Sequence, residues 1–243
     1  MGKFSWGLII VNVAVFLLVF SLPTELFDMV FEIFSFSWEG KFDIWRWFTS
    51  MFLHASASHL FFNMLGLYFF GKIIEEEDMS AKWFFSIFFI SGLVGNFVFM
   101  LTSPYPVVGA SGAVFGLLGT AMLINPVKRV HFYMIPLPLG IVAVAFLVFE
   151  TLVVYFQPEE FANIASVAHI GGLLVGGLFA FLYEPKKAAV GVLVLIICLA
   201  LLVFLGPVFS LMTGLGSLVL EVLDAIIGFF LYGTARLIGY LWI

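Results

Sequence analysis

The chain has 243 residues, of which 63% are hydrophobic, 19% aromatic and only 10% charged, with a formal net charge of -5. Soluble domains carry about 25% charged residues, so this composition, with a mean hydropathy of +1.20, describes an integral membrane protein. The chain has no Lys/Arg-rich patch with interleaved aromatics, which argues against nucleic acid as a partner. Its single cysteine, Cys198, lies in an apolar run and packs as a small hydrophobe.

Runs of roughly 20 apolar residues suffice to cross a bilayer. In chain order they predict spans over 4–22, 58–74, 82–101, 111–125, 136–156, 168–184 and 188–206, followed by a less clear segment over 208–243. The first run lacks a small-residue cleavage site and is followed by further spans, so it reads as a retained span and not as a signal peptide. Between the first two spans, the loop from Pro23 to about Ala57 carries Trp38, Phe42, Trp45, Trp47, Phe48, Met51 and Phe52. That aromatic content predicts a segment lying in the membrane interface, with simple outer packing of the bundle as the alternative. In the tail, Ser217, Glu221, Asp224, Gly228, Tyr232 and Arg236 recur near the helical period, giving a helix that either spans or lies in the interface.

Lys3, Lys72 with Lys82, Lys128 with Arg129, and Lys186 with Lys187 all fall on one side of this topology. The opposite loops hold Lys41 and Arg46, and neither Lys nor Arg occurs over 102–110 or 157–167. The positive-inside rule therefore puts the N-terminus in the cytoplasm. Spans two, four and six then all run from outside to inside. His59 and Asn63 open the second, Ser111 the fourth and His169 the sixth, so all four are expected at similar depth near the outer leaflet.

Polar side chains inside a bilayer cost free energy and usually mark function. Ser111 lies in Gly109-Ala110-Ser111-Gly112 and His169 in Ala168-His169-Ile170-Gly171-Gly172, a serine and an imidazole among residues chosen for smallness. The fourth span repeats small residues at Gly112, Gly116 and Thr120, and the sixth at Ala168, Gly172, Gly176 and Ala180. Such stripes let membrane helices approach closely, although they also occur in ordinary helix packing. Close contact here would bring the Ser111 oxygen to the His169 ring, as nucleophile and base of a serine protease. His59 and Asn63, four residues apart, share a helix face. They would either stabilise an oxyanion together with the Ser111 N–H or hold helices together.

The combination of Trp45-Arg46, His54-x-x-x-x-His59-x-x-x-Asn63, Gly109-x-Ser111-Gly112 and Ala168-His169-x-x-Gly172-x-x-x-Gly176 resembles the rhomboid intramembrane serine proteases over roughly residues 4–184. The resemblance implies an all-α membrane helix bundle with a six-span catalytic core over 1–184. Residues 185–243 would follow as an extension of one further span and a C-terminal amphipathic or spanning helix. It implies a Ser111–His169 dyad without a third acidic member, an oxyanion hole of His59, Asn63 and the Ser111 amide, and Phe115 stacked on the catalytic histidine. It also implies organising or structural roles for His54, Arg46 and Glu75. By the same resemblance the substrates are transmembrane segments of other proteins, unwound into a cavity that opens outward, and 157–167 caps that cavity. His131 is given no role.

Two other readings remain at this point. A rhomboid-like pseudoprotease would bind membrane proteins without cleaving them, and usually lacks the serine or histidine present here. A transporter or channel would show paired intramembrane charges or broken repeats. With no H-E-x-x-H run, neither a metal nor another cofactor is expected.

Overall fold

A computed structural model describes residues 2–132, 135–156, 165–201 and 203–204. The cap expected over 157–167 lies largely outside the described residues, and the tail segment over 208–243 lies wholly outside them. The chain divides into two units, Met1–Cys198 and Leu199–Ile243, and the first holds every feature below.

The fold is mostly helical. Among the described residues, four helices are long and apolar enough to cross a membrane: α1 (Lys3–Phe20), α4 (Ala57–Glu75), α5 (Ala81–Thr102) and α8 (Ser166–Tyr183). Two short helices, α2 (Thr24–Phe34) and α3 (Ile44–Thr49), occupy the aromatic loop. The shorter apolar α6 (Ser111–Ile124) and then α7 (Leu139–Phe156) complete the named helices. A further helix, α9, begins at 185 and runs to the end of the first unit, with Pro185 in its first turn, where a missing N–H costs nothing.

The surface is inverted relative to a soluble protein. Phe62, Leu18, Leu174 and Leu182 are exposed, whereas Asn12, Ser50, His54, Asn96 and Thr120 are buried. Burial of those few polar groups, with apolar side chains turned outward, fits a lipid solvent. Residues 23–57 follow the same rule: no residue of α2 is buried, and Leu26, Met29, Phe42, Ile44 and Trp45 are exposed.

Within the described residues the helices are interrupted once by strands. Arg129–Phe132 and Ile135–Pro138 pair as an antiparallel hairpin of strands β1 and β2. The span expected from residue 136 accordingly begins at Leu139. Pro136 and Pro138 are the physical reason, because proline inside a helix removes a hydrogen bond and clashes with the preceding turn. Pro138 falls just before the first helical residue, where those defects do no harm.

Six polar contacts gather helix ends at one face. The Glu75 carboxylate, at the end of α4, accepts the Phe4 and Ser5 backbone N–H groups and the Ser5 hydroxyl, capping the start of α1. Lys128 reaches Glu76 at 2.6 Å, Lys187 reaches Glu77 at 3.4 Å and the Tyr183 hydroxyl donates to the Glu77 carbonyl. The start of α1 and the ends of α4, α6 and α8 therefore share a level. The starts of α4, α6 and α8 lie toward the other face, as alternation of spans requires.

Candidate active site

The three helices that start toward that other face bring His59, Ser111 and His169 with them. α6 has 14 residues, about 21 Å at 1.5 Å per residue, against about 33 Å for the 22 residues of α5. With the end of α6 and the start of α5 near the Lys128–Glu76 level, the shorter helix reaches less far toward the other face, and Ser111 is its first residue.

The chain reaches that depth through a tethered loop. Phe36 and Val107 exchange both backbone hydrogen bonds, and the Gly109 N–H donates to the Ser50 carbonyl at 2.8 Å. The Asn96 amide in turn donates to the Ser50 hydroxyl at 3.0 Å, fully inside the fold. Gly109 has φ +116, a left-handed conformation that side chains rarely adopt. A Cβ there would also lie 2.7 Å from Cε1 and Nε2 of His59. The glycine thus lets the His59 ring of α4 press against the turn that delivers Ser111.

α6 and α8 meet backbone to backbone. A Cβ on Gly172 would collide with the Gly112 carbonyl, one on Gly176 with the Gly116 carbonyl and one on Gly119 with the Leu173 carbonyl. At the top of this seam a Cβ on Gly112 would touch the Ala168 carbonyl oxygen at 3.6 Å. Gly112 follows Ser111 and Ala168 precedes His169. The close approach expected from the small-residue stripes is therefore present, and it runs from Gly112, beside Ser111, through Gly116 to Gly119.

The rings complete the cluster. Phe115, one turn below Ser111 on the same face, lies 4.4 Å from the His169 ring and 2° from parallel to it. The His54 and His59 rings stand 5.1 Å apart, edge to face. His59 is also within electrostatic reach of His169. Asn63, a turn along α4 and nearly buried, donates Nδ2 to the His59 carbonyl at 2.8 Å, which leaves the second N–H of that amide for another acceptor. Ser111, Gly109, His59, His54, Phe115 and His169 are thus brought together from the pre-α4 loop, α4, the turn before α6, α6 and α8.

Arg46 and Glu75 lie elsewhere. Arg46 donates to Asp43 and to the Glu32 and Ser35 carbonyls, closing the end of α2, and Glu75 caps α1 at the far face. Sequence reasoning missed the Ser50–Asn96 pair. A lone amide in the middle of an apolar span was the available signal.

These features define a class: a membrane-embedded helical protein with a serine, imidazoles and an amide gathered at one end of a glycine seam. Residues 41–186, more than half of the chain, match the family described as Rhomboid domain, and the chain belongs to the rhomboid family. It is 35% identical over 149 residues to Rhomboid protease GluP of Bacillus subtilis (strain 168), which covers 60% of this chain and 28% of that protein. It is 33% identical over 150 residues to Putative rhomboid protease YdcA of the same organism, covering 59% and 69%. Rhomboid protease GlpG of Pectobacterium atrosepticum is 29% identical over 181 residues, covering 74% and 62%. The match thus spans little more than a quarter of GluP and under two thirds of GlpG.

Proposed function

We propose that the chain is an intramembrane serine endopeptidase that cleaves transmembrane segments of other membrane proteins. The Ser111 hydroxyl is the nucleophile and His169 the general base. The imidazole takes the serine proton as Oγ attacks the scissile carbonyl, then returns it to the leaving amine. Water deacylates the enzyme in the second half-reaction. The Ser111 N–H, one of the unpaired donors of a helix start, faces the developing oxyanion together with His59 and the second N–H of Asn63. The observation that carries this reading is the parallel stack of Phe115 on His169, one turn from Ser111. It holds the imidazole by its face, and proton transfer to and from the nitrogens takes place in the ring plane.

The catalytic core is residues 1–184 with six spans, and 185–243 forms the extension beyond it. The Lys-bearing face that holds Lys72, Lys128 and Lys187 is cytoplasmic, and the site opens to the opposite side, from which water enters. Helical peptide bonds are shielded, so the substrate segment must unwind before its carbonyl reaches Ser111. A membrane segment with helix-weakening residues meets that demand at least cost.

A fluorophosphonate probe tests the assignment together with a transmembrane substrate in detergent. Wild type labels and cleaves, whereas Ser111→Ala and His169→Ala do neither. Equal labelling of Ser111→Ala removes the serine from this role. Substrate binding without cleavage by wild type would instead make the chain a pseudoprotease.

A further inference from the structure

We infer that Phe146 of α7 is a positioning residue for the dyad, acting through Phe115, and that α9 helps to fix it in place. This rests on the reading of Ser111 and His169 given above.

Phe115 has no polar group with which to hold its own orientation, so its register on the imidazole depends on the side chains around it. Phe146 stands edge to face with it, ring centres 5.9 Å apart at 90°. Aromatic rings favour that geometry because a positive edge meets a negative face. The contact opposes sliding or tilting of the Phe115 ring, and with it the ring stacked upon it. A chain of three rings therefore runs from α7 through α6 to α8, ending at the imidazole.

The position of Phe146 is itself fixed from the start of α7. The Leu139 N–H donates to the Lys128 carbonyl at 2.8 Å, and the Gly140 N–H donates to the Pro126 carbonyl at 2.6 Å. Leu139, Val142, Ala143 and Val144 are buried. α9 closes on the same turn: a Cβ on Gly140 would sit 3.4 Å from Leu195 and 3.6 Å from the Cys198 sulfur. α9 is also seated on α6, because a Cβ on Gly191 would collide with the Leu123 carbonyl and Ala188 is fully buried. Phe146 lies six residues beyond Gly140, about 9 Å along the helix, so it belongs to the anchored part of α7.

The test separates positioning from substrate docking. The small fluorophosphonate reads the reactivity of Ser111 without a bound helix, and the transmembrane substrate reads kcat and KM. Phe146→Leu, with Phe146→Met as a second apolar replacement, is expected to label and turn over roughly three- to tenfold more slowly than wild type, the range of one aromatic pair. KM and melting temperature stay near wild type. Replacement by Tyr or by Trp restores at least half of the lost rate in one of the two. A wild-type labelling rate in both Leu and Met variants, a change confined to KM, or failure of both aromatic replacements to recover the rate overturns the inference. Loss of labelling by Ser111→Ala in the same series keeps the proposed chemistry standing in each of those cases, so the two failures are distinct.

Discussion

Thr120 donates its hydroxyl to the Gly176 carbonyl at 2.8 Å, across the seam where Gly116 faces Gly176. This bond joins α6 to α8 midway along their contact, below Ser111 and His169.

The seam cannot absorb added volume. Gly176→Ala would drive a Cβ into the Gly116 carbonyl, and backbone cannot rotate aside as a side chain can. We expect a loss of about 1–3 kcal/mol or more, together with loss of labelling at temperatures where wild type is active. Gly7→Ala, where a Cβ meets nothing within 4 Å, should melt with the wild type. Thermal unfolding in detergent reads both, and equal melting of the two variants would contradict the seam.

Asn63→Ala should slow cleavage by about 100- to 1000-fold, the range for loss of one oxyanion donor. Melting should change little, because the amide donates to a carbonyl of its own helix. Steady-state kinetics at matched substrate concentration give the result. An unchanged kcat would mean that the oxyanion is held without this amide.

Glu75→Ala removes the acceptor for two backbone N–H groups and one hydroxyl at the start of α1. A capping side chain and a charge-assisted acceptor are each worth about 1–2 kcal/mol, so the variant should melt earlier by that order, and Glu75→Gln by less. The site lies toward the opposite face, so the labelling rate at low temperature should match wild type. A rate loss without a stability loss would place Glu75 in the chemistry instead.

The Lys128 ammonium hydrogen-bonded to Glu76 holds that carboxyl below its ordinary 4.5, aided by Lys72. A carboxylate whose folded pKa is depressed stabilises the fold above its unfolded pKa, and that contribution disappears as pH falls through the folded value. The melting difference between wild type and Lys128→Gln should therefore be present at pH 7 and vanish well below pH 4.5. Glu76 is 45% exposed, so high salt should shrink the difference at neutral pH as well. A difference that does not shrink as pH falls below 4.5 would refute the pairing.

The seam and the family were legible because membrane helices announce close packing through small residues at fixed spacing. Gly112, Gly116, Gly172 and Gly176 lie against the other helix's backbone as that rule requires. Helix parity followed from length and from the lysines. The hairpin was not legible, because an apolar run such as 135–138 reads alike as strand or span until the two prolines are weighed. The Ser50–Asn96 pair and the Phe146 contact were hidden for another reason. Each joins residues distant in sequence whose identities, taken singly, are ordinary for an apolar helix or a loop.

Main chain lying directly on main chain has no torsional freedom between its two halves. The outer coat of phenylalanines and leucines can drift, swap rotamers or adapt to acyl chains of another length without altering what happens at the seam. A single methyl group placed there has nowhere to go. Tolerance and intolerance to substitution should therefore divide this protein by distance from one line of glycines, more sharply than by depth in the bilayer.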